Sequence, residues 1–186
     1  MKLILASQSP RRQELLKLIG IPFAVRVADI DETLEPCAPE IAVAQLSRKK
    51  AEAVPHTDDE TVIGADTVVV LDGEILGKPA DEADAFRMLR FLSGRRHQVM
   101  TGVTVLQGDR CVSVTEVTEV SFRELSDGEI RDYIATGEPM DKAGSYGIQS
   151  GGALFVDGIH GDYYNVVGLP VCRLNRILKD FTEETQ

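Results

Sequence analysis

Ser7, Ser9, Arg11 and Arg12 stand close together in Leu3–Arg12, which reads Leu-Ile-Leu-Ala-Ser-Gln-Ser-Pro-Arg-Arg. Hydroxyls, guanidinium forks and the free N–H groups of a helix N-terminus are together the groups that hold a polyphosphate. A second candidate is Asp66, inside Gly64-Ala65-Asp66-Thr67 and followed by a run of valines. A carboxylate in such a strand is costly to bury unless it is paired or bound to metal. Asp66 therefore demands a partner, and a functional reading is favoured over a purely structural one. A third is the glycine-rich run Asp141–Gly152, whose glycines allow close backbone approach to a ligand. It matches neither the P-loop nor the dinucleotide fingerprint. Lys78, in Gly77-Lys78-Pro79, reads on its own as an ordinary exposed cation.

The elements that must carry these groups can be read from the pattern of residues. Leu3–Ala6 is a short buried strand. Ser9 is an N-cap and Pro10 fits the first position of a helix running to Ile19, with Gly20 beyond it. Arg11 and Arg12 carry the wrong sign for that helix end, and such a conflict often marks a site. Taken alone, though, the stretch is slightly better read as two arginines projecting into solvent. Ala24–Ile30 is a second strand, followed by the acidic residues Asp31 and Glu32 and a loop over Thr33–Pro39. A helix over Pro39–Val54 would bury Ile41, Leu46, Ala51 and Val54. Arg48, Lys49 and Lys50 near its end suit the helix dipole.

Thr61–Leu71 is the clearest strand, with Asp72-Gly73 turning it into Glu74–Leu76. Asp81 caps a helix to Leu92. Arg95, Arg96 and His97 precede a hairpin of Val99–Leu106 and Cys111–Phe122, facing either phosphate or solvent. Ser126 and Glu129 form a capping box for a helix to Thr136. Ala153–Val156 is a short strand, Gly161–Asn165 a polar aromatic loop, and Pro170 opens a final amphipathic helix to Phe181. Strands alternating with helices, with a hairpin inserted midway, predict an α/β fold with a mixed central sheet flanked by helices.

The whole chain narrows the possibilities. Its 186 residues suit one domain spanning 1–186, or one core with two lobes. A net charge of −10 argues against general binding to nucleic acid or an anionic membrane, but not against a small anion in a basic pocket. Cys37, Cys111 and Cys172 are odd in number and widely spaced, which predicts no disulfide framework and a reducing compartment. The chain opens directly into a strand and has no apolar run of membrane-spanning length, so the cytoplasm is the expected location.

Five stretches together resemble the Maf proteins, nucleotide pyrophosphatases once described as septum-formation inhibitors. They are Ala6–Arg12, Gly64–Val69, Gly77–Pro79, Asp141–Gln149 and Asn165–Pro170. The resemblance implies an inosine-triphosphatase-like fold with two lobes around a cleft, and a homodimer. It implies hydrolysis of a nucleoside triphosphate to the monophosphate and pyrophosphate with Mg²⁺ or Mn²⁺. The Tyr146-Gly147-Ile148-Gln149 form is similar to the branch acting on dTTP and UTP. Carried over by motif, Asp66 is the catalytic base and Arg11, Thr67 and Gln149 are specificity positions. Ser7, Arg12, Lys50 and Lys78 bind phosphate, and Glu32 joins Asp66 at the metal. Lys49 departs from the glutamate of many relatives. Two rival readings stand beside this one: clearance of modified pyrimidine nucleotides, and a nucleotide-binding regulator of cell division without turnover.

Overall fold

The structure, a computed structural model, describes residues 2–33 and 36–183. Strand β1 (Lys2–Leu5) buries all three of its apolar residues. It lies parallel to β2 (Phe23–Val25) on one side and to β3 (Glu60–Leu71) on the other. Parallel strands require crossovers, which here contain helices α1 (Pro10–Lys17) and α2 (Pro39–Ala53). β4 (Glu74–Leu76) folds back on β3 through Asp72-Gly73, where both residues take positive φ. Helix α3 (Glu82–Leu92), the hairpin β5 (Arg96–Gln107) and β6 (Arg110–Phe122), and α4 (Asp127–Ala135) follow. Strand β7 (Val156–His160), the short helix α5 (Tyr163–Val167) and α6 (Val171–Glu183) complete the chain. The strands make one mixed sheet in the order β2-β1-β3-β5-β6-β7, with β4 on β3, as the alternation of elements predicts. No helix among the described residues is long and apolar enough to cross a membrane.

The chain packs as two compact units that interleave along the sequence. The first comprises Met1–Asp66, Thr101–Glu116 and Gly168–Gln186. Here α2 lies hard against the sheet because two glycines permit it. A Cβ at Gly64 on β3 would stand 2.0 Å from the Ser47 carbonyl oxygen, and one at Gly102 on β5 would stand 2.2 Å from that of Val43. The helix presents compact residues to this contact: Ala42, Val43, Ser47 and Ala51. The Ser47 hydroxyl is satisfied by Thr104 Oγ1 at 2.8 Å. Leu174, Ile177, Leu178 and Phe181 form the buried face of α6.

The second unit comprises Thr67–Met100 and Val117–Val167. Its core gathers Leu76, Met88, Leu89, Leu92, Phe122, Ile130, Tyr146 and Phe155. The capping box of α4 forms as predicted, with Ser126 and Glu129 each accepting from the other's backbone N–H. His97 is buried, with its ring edge-on to Phe122 and Tyr146. Its Nε2 shares a 2.8 Å hydrogen bond with the Tyr146 hydroxyl. Burial pushes its pKa down from 6.5 to about 4, so at neutral pH it is uncharged.

Several sequence expectations give way here. The second strand ends at Val25 rather than Ile30, because β1 is four residues long and offers it no further backbone. Arg26 instead turns to Glu60, at 2.7 and 2.8 Å. Ile41 is 50% exposed, since the face of α2 that meets the glycines lies elsewhere on the helix. Arg96 and His97 belong to β5, and His97 faces the core rather than phosphate or solvent. The last strand is Val156–His160, the segment that pairs with Glu119–Phe122 of β6, while Gly151–Phe155 forms a 3₁₀ turn. Tyr163–Val167 is helical, and the Asp162 carboxylate accepts the Tyr164 N–H at 2.8 Å. The expected loop over 33–39 includes 34 and 35, which lie outside the described residues.

Gly64→Ala should lower stability by roughly 1–3 kcal/mol or more, because the added methyl has no space before the α2 backbone. An unchanged urea midpoint would contradict that close approach. Unfolded His97 takes up a proton below its ordinary pKa, whereas the buried ring does so only near 4. The stability it confers is therefore complete above pH 6.5 and is lost as pH falls from 6.5 to about 4. The total is about 3 kcal/mol. Asp59, Glu60 and Glu129 are held near 2 by hydrogen bonds from Lys2, Arg26 and Arg123 respectively, so their contribution is lost at lower pH. Urea midpoints measured across this range should fall less steeply in His97→Gln than in the parent chain.

Candidate functional site

Side chains alternate along a strand, so residues two apart share a face. Gly64 meets α2, and Asp66, two residues on, faces the same way. The side chain waiting there is Lys50, in the last turn of α2. Its Nζ donates to Asp66 Oδ1 at 2.6 Å and pairs with Glu32 Oε1 at 3.0 Å. Asp66 is only 9% exposed, so this ammonium is the partner that its burial demands. The neighbouring cations go elsewhere: Arg48 pairs with Glu52 at 2.6 Å, and Lys49 donates to the Thr33 carbonyl at 3.0 Å. Position at the helix end does not by itself explain Lys50, which joins helix, strand and loop.

The first turn of α1 belongs to the same unit. Ser9 caps it as predicted, accepting the Arg12 N–H at 3.4 Å, and the Ser9 N–H donates to Ser7 Oγ at 3.3 Å. The Arg12 side chain does not project into solvent. Its Nη1 donates to Ser7 Oγ at 3.3 Å and its Nε to the Gly168 carbonyl at 2.9 Å. Burial lowers the Arg12 pKa, and the charge of Arg11 adds to this, while Asp66 and Glu32 pull the other way. Ser7, Arg11, Arg12, Glu32, Lys50 and Asp66 thus all belong to the first unit. Lys50 and Arg12 interact there with Asp66 and Glu32, and the charge of Arg11 reaches Arg12, so these named residues carry three cations to two carboxylates in a chain of net charge −10. Sequence reasoning assigns Gly168 no role, although it lies in the Asn165–Pro170 motif. With φ at 127°, where few side chains are tolerated, it offers its carbonyl to Arg12.

The remaining three residues lie in the second unit. Thr67 is half-buried and, by alternation, faces away from Asp66 on β3. Lys78 is exposed just after β4. Its neighbour Gly77 accepts the Gly144 N–H at 3.0 Å, which pins the start of the glycine-rich run beside it. Gly144 is forced by its surroundings, since it has φ of 68° and its Cβ would stand 2.7 Å from Val69 Cγ2. Gln149 is exposed on the turn Gly147–Ser150, closed by a 3.3 Å bond from the Ser150 N–H to the Gly147 carbonyl. Among the described residues, no three His, Cys, Asp or Glu side chains gather as a metal cluster. Glu32 and Asp66 meet as a pair on Lys50.

Residues 2–181 match the sequence profile of the family described as Maf-like protein. A dTTP/UTP pyrophosphatase of Bacillus cytotoxicus is 53% identical over 182 residues, covering 97% of this chain and 95% of its own. The protein of the same name from Bacillus anthracis is 51% identical with the same coverage. Among solved structures, a HAM1 protein from Coxiella burnetii matches with a TM-score of 0.54 at 17% identity, over 97% of this chain and 99% of that one. That likeness is one of fold.

Proposed function

The chain belongs to the Maf-like protein family, and from that premise we propose that it hydrolyses nucleoside triphosphates, dTTP and UTP foremost, to the monophosphate and pyrophosphate. Relatives with about half their residues in common carry that name over nearly their full length. The observation that carries the reading is Asp66, a carboxylate nine-tenths buried and held by Lys50 in the same unit as Arg11 and Arg12.

Water attacks the α-phosphorus, a new O–P bond forms, and the bond to the α,β-bridging oxygen breaks as pyrophosphate leaves. Asp66 accepts the proton of that water. Because the incoming water must approach an anionic chain, neutralisation and positioning dominate the barrier. Arg12 and Lys50 supply the charge, and the Ser7 hydroxyl adds a donor. Lys78 is a further phosphate-binding cation. Arg11 and Thr67 contribute to substrate choice. Gln149 carries one acceptor and two donors on a planar amide, which can pair with the carbonyl and N–H edge of uracil or thymine.

Glu32 and Asp66 direct oxygens at one cationic point, the Lys50 ammonium. Hard carboxylate oxygens are the donors that Mg²⁺ or Mn²⁺ takes alongside phosphate oxygens and water. The residues therefore fit such an ion, and Glu32 and Asp66 would hold it. When bound, a divalent ion polarises phosphoryl oxygens and lowers the pKa of coordinated water.

Pyrophosphate release across the nucleoside triphosphates with Mg²⁺ or Mn²⁺ should be fastest with dTTP and UTP. Asp66→Asn should lower kcat roughly 10²–10⁴-fold. Binding without release of pyrophosphate from any substrate would favour the regulator reading instead. Lys78→Glu should raise KM roughly ten- to hundredfold with a smaller effect on kcat. Unchanged steady-state constants in that variant would remove Lys78 from the phosphate site.

A further inference from the structure

The turn that carries Gln149 is tied down at both shoulders by one pair of side chains. On the leading side, the Gly147 N–H donates to the Tyr133 hydroxyl at 3.1 Å. That hydroxyl in turn donates to Glu138 Oε1 at 2.6 Å. On the trailing side, the Ser150 hydroxyl donates to the same Oε1, and the Gly151 N–H donates to Oε2 at 3.1 Å. One carboxylate thus accepts three donors, and the phenol links it to the fourth. Burial by itself would raise the Glu138 pKa, but the hydrogen bonds from Ser150, Tyr133 and Gly151 outweigh it and hold the group below the ordinary carboxylate value. Lys142 closes the segment from below, donating to the Glu138 carbonyl and to Asp141, each at 2.6 Å.

The pair is anchored outside the turn it holds. Tyr133 lies on α4, and its ring stands edge-on to Phe155 at 5.0 Å within the core. The turn fits the pair closely. A Cβ at Gly151 would stand 3.0 Å from the Tyr133 ring and 3.2 Å from Glu138 Oε2, and one at Gly152 would stand 2.7 Å from the Gly147 carbonyl. An exposed glutamine amide can rotate to present either its donor or its acceptor edge, so a backbone held in one conformation is what its selectivity requires.

We propose that Tyr133 and Glu138 are positioning residues for base recognition: they fix the turn Gly147–Ser150 so that Gln149 discriminates uracil and thymine from cytosine and purines. The proposal rests on the reading of Gln149 as the base-reading residue of a nucleoside triphosphate pyrophosphatase. A glutamine at position 138 cannot replace the carboxylate, because its single acceptor oxygen cannot face the Gly151 N–H and the two hydroxyls together. A phenylalanine at 133 keeps the ring packing and removes only the hydroxyl.

The test compares the parent chain with Glu138→Gln and Tyr133→Phe, using UTP, CTP and ATP as substrates and tripolyphosphate as a baseless inhibitor. The variants should lose about tenfold in the ratio of kcat/KM for UTP over CTP, the scale of one lost charge-assisted hydrogen bond. Tripolyphosphate inhibition should stay within about twofold of the parent, since it reports the phosphate site alone. Hydrogen exchange at the Gly147 and Gly151 amides should accelerate about tenfold. If both variants keep the parent's ratio, or lose activity equally with every substrate, the positioning role is overturned while the reading of Gln149 stands. If the parent chain itself shows no preference among the three substrates, the reading of Gln149 falls first and the proposal with it.

Discussion

An ionised carboxylate inside a sheet is tolerated only when a counter-charge is brought to it, and in this fold the Lys50–Asp66 contact meets that condition. Bringing an ammonium to β3 requires α2 to approach within backbone distance, and this is why β3 carries glycine at position 64 and α2 carries Ser47 and Ala51 opposite it. Packing and charge are therefore one constraint. The glycine that lets the helix settle stands two residues before the aspartate that needs the helix's lysine, on the same face of the strand. The same ammonium also takes Glu32, so the segment after β2 is drawn to the strand and helix.

Arg12 shows how a group that conflicts with its own helix can be stabilised from outside it. The dipole of α1 and the charge of Arg11 both oppose a guanidinium in that first turn. Its hydrogen bonds run to Ser7 and to the carbonyl of Gly168, and the carboxylates Asp66 and Glu32 draw it electrostatically. The resulting group is basic although the chain as a whole is strongly acidic, an arrangement suited to a small polyanion rather than to an extended one.

The second unit solves a different problem. Tyr133 and Glu138 hold a glycine-rich turn, of which Ile148 packs against the core, through four hydrogen bonds and a phenol rooted in that core. His97 and Tyr146 form a second buried polar pair, and there the His97 ring stays neutral because burial disfavours its charged form. The hydrogen bonds at Tyr133 and Glu138 make the backbone they hold specific in shape, whereas at His97 only Nε2 is paired and the buried Nδ1 has no partner among the described residues.

Local chemistry was legible from the residues alone. The Ser9 cap, the Ser126–Glu129 box, the turn at Asp72-Gly73 and the anomaly of Asp66 within a valine-rich strand depend on neighbours a few positions apart, so adjacent residue types suffice to reveal them. The end of β2, the placement of β7 and the exposure of Ile41 were not legible, because each depends on which backbone lies alongside. Nor were the partners of Lys50, Arg12 and Glu138, which are separated along the chain by 16, 156 and 5 to 13 positions. A sequence can show that a buried charge must be answered, since the cost of leaving it unpaired is independent of the fold. Which residue answers it is decided only when helices and strands pack, because hydrogen bonds and ion pairs act over a few ångströms of space and take no account of distance along the chain.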